Sequence, residues 1–472
     1  MSVVLLKSKS ISLLCSLSKK ELSAFSYYLR WDYLTVNKYI RKAFPYLKQI
    51  ATRKKFNLSK EVLYRICFGK EKYNDKKIRY LLTDLYKLLE KFLLIESVIS
   101  DKQNSETLLA KQLALKKTEK AYKSFTKKMA LQTSHILNAD YYLAQYNKEH
   151  HHLTYYISKL NRKEKTNIEK VASNLDAFYL ARKLQLCCEI FNYQNVLTAE
   201  YKIFLMDEIL QALQTQEYAS VPVISIYHKI LLTLTQPDVE ENFFFLLELL
   251  KKNEQNFSID ELRDMFSYAF NYCIKKINLG NQSFRLTLFN TYKLALQNKV
   301  LYKESCLSQW DFKNIVTLSL RLNDFKWCYD FIETQKEYLP ANEKENAYNY
   351  NLANYYFFKK EFSKTLKLLH KVSFTDIYYQ LDSRSVLLKT YYETSDLDAL
   401  QYHITAFRNF LKRNHSVSEY QLSIYSNLVK YTQRLLAAGN SKTKLLKLKK
   451  EVALNKSVAD VQWLEQKIED LI

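Results

Sequence analysis

The run NAYNYNLANYYFFKKEFSKTLKLL, from Asn346 to Leu369, constrains this chain more than any other stretch. Tyr348, Leu352, Tyr355 and Tyr356 recur at helical spacings, with Asn349, Asn351 and Asn354 between them. Lys359, Lys360 and Glu361 interrupt the pattern, and Phe362, Leu366 and Leu369 resume it. The run reads as two amphipathic helices of about three turns each, joined by a tight polar turn. Such a pair is too small to bury both of its apolar faces. It must stack on neighbours, which commits the chain around it to helix-on-helix packing.

The remainder of the chain offers little else to fold with. It holds 3 Gly and 4 Pro in 472 residues, far below the roughly 12 % combined share of ordinary proteins. Sheets need tight turns that these residues supply most readily, so a sheet-rich fold is excluded. With 47 % apolar residues and long stretches of helical period, the chain is expected to be folded and all-α. Its length exceeds what one core holds, so several domains or a solenoid are expected.

Asn346 to Leu369 resembles a tetratricopeptide repeat, whose pattern sets a large apolar residue, a small one, a tyrosine, a turn acid and an aromatic at fixed offsets. Leu352, Ala353, Tyr356, Glu361 and Phe362 take those places. Thirty-five residues on, Leu387, Tyr391, Asp396 and Leu397 repeat the pattern; thirty-seven before, Ile315, Asp324, Phe325, Cys328 and Pro340 match. Val316 and Leu388 depart from the small residue, Ser319 from the tyrosine and Thr365 from the alanine, and the resemblance covers Gln309 to Asn414. It implies an α-solenoid of stacked antiparallel helix hairpins, similar to bacterial tetratricopeptide-like proteins with a basic N-terminal helical module. The organisation expected is a basic module at 1–100, a basic helical connector at 101–170 and a degenerate helix-pair array at 171–308. Tetratricopeptide-like hairpins at 309–415 and capping helices at 416–472 complete it.

In that geometry a groove follows the first helices of the hairpins. The resemblance places Lys313, Thr317 and Arg321 along it, then Tyr350, Asn354 and Phe357, then Ser385, Lys389 and Tyr392. Asn354 and Lys389 fall where related domains hold a peptide's terminal carboxylate, with Tyr350 and Tyr392 flanking the peptide. The plainer alternative is that the tyrosines pack between hairpins and the polar groups face water. It takes precedence over a specific clamp, while the groove remains the expected protein-binding surface.

The formal charge of +23 is unevenly spread. Residues 1–170 hold 35 Lys and Arg against 15 Asp and Glu, residues 171–400 hold 25 against 28, and residues 401–472 hold 12 against 6. A helical stretch from Ser105 to Glu149, broken at most once, carries a stripe of Lys116, Lys120, Lys123 and Lys127 flanked by Lys117 and Lys128. Leu115, Tyr122, Phe125, Met129 and Ile136 gather on another side. The stripe would attract phosphates, acidic protein or anionic lipid; the alternative is a solvated lysine face. Around Gly69, a helix pair capped at Ser59 and at Asn74 or Asp75 reads as a helix-turn-helix presenting Lys76, Lys77 and Arg79, or as an ordinary αα-corner.

Other local signals complete the organisation. Ser18 with Glu21 forms a capping box, Pro222 suits the first turn of a helix and Pro237 opens another. Phe243 to Leu247 reads as apolar all round. From Leu445 to Ile472, Leu454, Val458, Val461, Leu464, Ile468 and Leu471 alternate as one terminal helix, with Asp460, Glu465, Glu469 and Asp470 on its wet side.

Seven scattered cysteines without a CxxC pair are expected to be buried, reduced thiols of a cytoplasmic protein. At the N-terminus, Lys7 and Lys9 interrupt the apolar run that a signal peptide needs, and no transmembrane helix is expected. His150, His151 and His152 project about 100° apart on a helix and do not converge on a metal; they are expected at a solvated helix end. No glycine-rich phosphate loop, HExxH pair, GxSxG elbow or zinc-type cysteine spacing occurs. No catalytic residue, metal or cofactor is therefore assigned. The expectation is a non-enzymatic scaffold or adaptor that binds a protein or peptide through the repeat groove. The alternative is a nucleic-acid-associated regulator using residues 1–170.

Overall fold

The computed structural model describes residues 8–31, 37–52, 59–116, 118–130, 136–158, 166–196, 201–213, 218, 220–373, 376–414, 417–455 and 457–472. Among them are 23 α-helices and one antiparallel pair of two-residue strands, so the chain is all-α. No helix among the described residues is long and apolar enough to cross a membrane. Lys7, Lys117 and the side chain of Met129 lie outside the description. Residues 1–134 with 139–178 form one compact unit, and residues 135–138 with 179–472 form a second.

The first unit opens with α1 (Lys9–Ser16), α2 (Lys19–Tyr28), α3 (Lys38–Thr52), α4 (Lys60–Phe68) and α5 (Asp75–Ser100). Side-chain chemistry sets the starts. Ser18 and Glu21 close the reciprocal capping box, Ser59 accepts from the Glu61 amide, and Asn74 accepts from those of Lys76 and Lys77. Gly69 ends α4 at a φ of 72°, a conformation that a side chain would strain. Ile11, Leu22, Phe25, Phe44, Leu85 and Phe92 share a core, with Phe25 edge-on to Phe44 at 5.3 Å.

The stretch from Ser105 to Glu149 breaks twice, giving α6 (Lys102–Leu115), α7 (Glu119–Ala130) and α8 (Ala139–Ser158). One long helix would leave its apolar stripe in water. Instead α6 packs on both α7 and α8, and Tyr122 meets Tyr155 at 4.2 Å in their small core. Leu115 and Ile136, expected on the apolar side, are exposed. The three histidines sit inside α8 rather than at its end, His150 stacking on Tyr146 at 5.6 Å.

The chain passes into the second unit within α9 (Ile168–Val196) and continues through α10 (Met206–Ala212), α11 (Pro222–Thr235), α12 (Glu240–Asn253), α13 (Ile259–Asn278) and α14 (Phe284–Gln297). Strands β1 (Tyr302–Lys303) and β2 (Cys306–Leu307) follow. Next come α15 (Gln309–Arg321), α16 (Phe325–Gln335), α17 (Lys344–Phe358), α18 (Phe362–Leu369) and α19 (Ile377–Glu393). The last elements are α20 (Leu397–Arg413), α21 (Glu419–Ala438), α22 (Lys442–Leu454) and α23 (Val461–Glu469). From α11 onward each helix packs on the next, and α15, α17, α19 and α21 each pack also on the helix two places on.

The turns of the three sequence motifs repeat one geometry. Asn323, Lys360 and Ser395, 37 and 35 residues apart, take φ of 58°, 60° and 56°. Each lets the following amide reach back, Asp324 N–H to Ser319 O, Glu361 N–H to Tyr356 O and Asp396 N–H to Tyr391 O. These bonds satisfy carbonyls that the helix end leaves without a partner. Asp324 and Asp396 then cap the next helices by accepting from the Trp327 and Ala399 amides.

Asn349 and Asn351 are buried, because α17 is flanked by α15 and α19 and has no wet side at those positions. Four further expectations are corrected here. Phe244 and Phe245 are about half exposed while Phe243 and Leu246 are buried, so the phenylalanine run has one core face and one solvent face. Pro237 lies ahead of α12 rather than in its first turn, its carbonyl accepting from Tyr272 Oη at 2.7 Å. Cys15 and Cys306 are exposed, and the other five cysteines are buried. The terminal helix is two helices, parted at Asp460, whose φ of 48° is left-handed. The break turns α23 back on α21 and α22 and buries Leu464 and Ile468 in their core.

Candidate functional site

Helical spacing carries the sequence-named residues onto three consecutive odd-numbered helices: Lys313, Thr317 and Arg321 on α15, Tyr350, Asn354 and Phe357 on α17, and Ser385, Lys389 and Tyr392 on α19. Lys389 is buried, its Nζ 2.6 Å from Asp460 Oδ2 and 4.9 Å from the centre of the Phe357 ring. The same Oδ2 lies 3.5 Å from Ser385 Oγ, and Asp460 Oδ1 lies 3.8 Å from Arg321 Nη2. Asp460 is thus half-buried and paired rather than free on a wet face. Burial pushes its carboxyl up, but Lys389, with Arg321 and Ser385 behind it, outweighs burial and holds it below its ordinary range. An ammonium, a hydroxyl and a guanidinium from α19 and α15 surround one carboxylate of the chain itself.

The remaining groove residues divide between core and surface. Asn354 Nδ2 donates to Tyr350 O in its own helix at 3.1 Å, so Asn354 and Lys389 are held by different partners. Tyr350 is 4 % exposed and packs edge-on against Tyr379 at 5.2 Å, which makes it a core residue; burial raises its phenol. Tyr392 meets Trp463 of α23 edge-on at 5.4 Å, and Trp463 Nε1 donates to Glu393 Oε1 at 2.8 Å. Lys313 pairs with Asp382, which also accepts from Tyr425 Oη, and its Nζ lies 4.9 Å from the Tyr379 ring centre. Burial and Asp382 together push the Tyr425 phenol up.

Asp382, Asp460 and Trp463 were not singled out as groove residues from the sequence. Asp382 had a signal, since Ser385 and Lys389 follow it at offsets that share a helix face. Asp460 had none: it lies 71 residues from Lys389.

In the first unit, Lys116 ends α6 while Lys120, Lys123 and Lys127 belong to α7, so the four do not form one helix's stripe. All four are exposed, and Lys123 pairs with Glu119 at 3.0 Å. At the pair around Gly69, Lys77 pairs with Glu71 at 2.6 Å and Arg79 with Asp75 at 2.7 Å. Among the described residues, no group of three or more His, Cys, Asp or Glu is placed to hold a metal ion. No protein-family model, curated protein or solved structure matches this chain.

Proposed function

We propose that this chain is a cytoplasmic, tetratricopeptide-like α-solenoid scaffold that binds a protein partner through the groove of α15, α17 and α19. The observation that carries the reading is the coordination of Asp460 by Lys389, Ser385 and Arg321. It is a carboxylate-binding arrangement on the surface where stacked hairpins receive peptides, and a residue of the chain's own C-terminal segment fills it. The shared turn geometry at Asn323, Lys360 and Ser395 supports the repeat assignment. No chemistry beyond binding is required of these residues.

The test uses the full-length protein against an array of peptides with acidic C-termini. Asp460→Asn vacates Lys389, so it should bind a subset more tightly than the wild type, and Lys389→Met should lose that subset. An array on which the two variants give the same pattern removes the groove assignment.

A second reading, nucleic-acid binding through residues 1–170, is favoured by the 35 Lys and Arg against 15 Asp and Glu there, with Lys116, Lys120 and Lys127 exposed. Labelled duplex and single-stranded oligonucleotides titrated across salt should show a steep slope, reduced when Lys116, Lys120, Lys123 and Lys127 become Glu. No binding at low salt removes this reading.

A further inference from the structure

The stack departs from its own pattern between the α13–α14 pair and the α15–α16 pair. α13 and α15 do not pack closely, unlike α15 with α17, α17 with α19 and α19 with α21. β1 and β2 lengthen the connection at this place, and Arg263 of α13 ties it down by donating to Val300 O at 2.9 Å and Tyr302 O at 3.2 Å. What opens is a cleft of about 230 Å³, lined by apolar Leu288 and Leu318 and by Asn278, Arg285, Asn314 and Arg321. No carboxylate lines it among the described residues.

Within this cleft, Arg285 is a charged side chain the fold does not account for. It is half-buried, its Nε is closed off from water, and its guanidinium makes neither a hydrogen bond nor an ion pair among the described residues. It stands in the first turn of α14, where the helix dipole repels a cation and no acidic residue accompanies it. Arg321 shares the cleft, and its ion pair with Asp460 is a long one, 3.8 Å and without a hydrogen bond. Burial, with the like charge of Arg321 added, loosens the Arg285 proton. Burial without a counter-ion, an opposed dipole and a like-charged neighbour are three separate costs on one residue. One anion in the cleft would relieve all three.

We propose that this cleft binds the carboxylate of an acidic side chain on an extended peptide partner, gripped by Arg285 and Arg321. The occupant rests on the groove reading, because Arg321 belongs to both places. Size limits the ligand: the cleft is smaller than the roughly 300–1,000 Å³ of pockets that enclose whole small molecules. It suits one side chain, whose methylenes meet Leu288 and Leu318 while the carboxylate accepts from the planar guanidiniums and the Asn278 and Asn314 amides.

The experiment uses the full-length protein with two probes, a fluorescein-labelled hexaglutamate peptide with an amidated C-terminus and inorganic phosphate. The peptide should bind the wild type, bind Arg285→Met at least about tenfold more weakly, and bind Arg285→Lys at an intermediate level. Without a probe, Arg285→Met should melt no lower than the wild type, because the arginine it removes has no partner. Equal peptide binding by Arg285→Met and the wild type overturns the site, as does a lower melting temperature of the probe-free variant. If phosphate raises the melting temperature through Arg285 while the peptide does not bind, the peptide occupant is overturned in favour of a small-anion site. Peptide binding that depends on Lys389 and not on Arg285 overturns the cleft and leaves the groove reading standing. Binding of neither probe overturns the proposal.

Discussion

Two carboxylates, Asp311 and Asp460, give this helical stack opposite responses to pH. Asp311, half-buried in the first turn of α15, is pushed up to about 6 by burial against the pull of Arg263. A folded-state value above the unfolded one of about 3.9 contributes stability at low pH that is lost as the pH rises through about 6. Asp311→Asn should therefore stabilise the protein at about pH 7 by on the order of 1–3 kcal/mol, seen as a higher urea midpoint that varies less between about pH 4 and pH 6. A lower midpoint for the variant at neutral pH would contradict it. Asp460 has the reverse sign: its lowered carboxyl contributes stability above the ordinary carboxylate range, lost as the pH falls through its folded value. Asp460→Asn should cost about 1 kcal/mol at neutral pH, a modest figure because the side chain is a third exposed. The difference should vanish in acid, and adding Lys389→Met should recover part of it. Sequence alone reached one half of this pair, Lys389 through its helix face. It also passed over Arg285, although an arginine without an acidic residue at three or four places either side is visible in the string, where Asn281, Gln282, Leu288 and Phe289 occupy those positions.

Among the elements, the turns were legible and the breaks were not. Asn323, Lys360 and Ser395 occupy the turn position of each motif because a helix that reverses tightly needs one left-handed residue there. Capping residues at Ser18, Ser59 and Asn74 were equally readable, since each acts within three residues of itself. The breaks before α7, α8 and α23 left no such mark. Apolar spacing continues across a break whenever both helices face the same core, as Leu448, Val452, Leu464 and Ile468 do across the turn at Asp460. The turn geometry is testable at Lys360, where a side chain sits at a φ of 60°. Lys360→Gly should raise the unfolding free energy by about 0.5–1 kcal/mol, whereas Lys360→Ala should bring no such gain. Equal denaturation midpoints for the two variants would count against a left-handed turn.

For the molecule as a whole, two compact units and separate cores point to unfolding in more than one step. The core of Ile11 to Phe92 and that of Leu381 to Ile468 share no residue, and the chain divides into two units. Calorimetry should give a calorimetric enthalpy well above the van't Hoff value; a ratio of one would mean that the units melt together. The charge of the sequence changes near residue 170, and the second unit takes up the chain at 179, inside α9. The α13–α15 joint has a mechanical consequence. From α11 onward the closely packed helices are those one and two places apart in the chain, so bending stiffness is set joint by joint, and α13 and α15 are not closely packed at this one. A stack of this kind is expected to bend most readily at such a joint. An anion bridging Arg285 and Arg321 would splint that joint, and the partner would then be registered as a change in rigidity along the stack, felt well beyond the residues it touches.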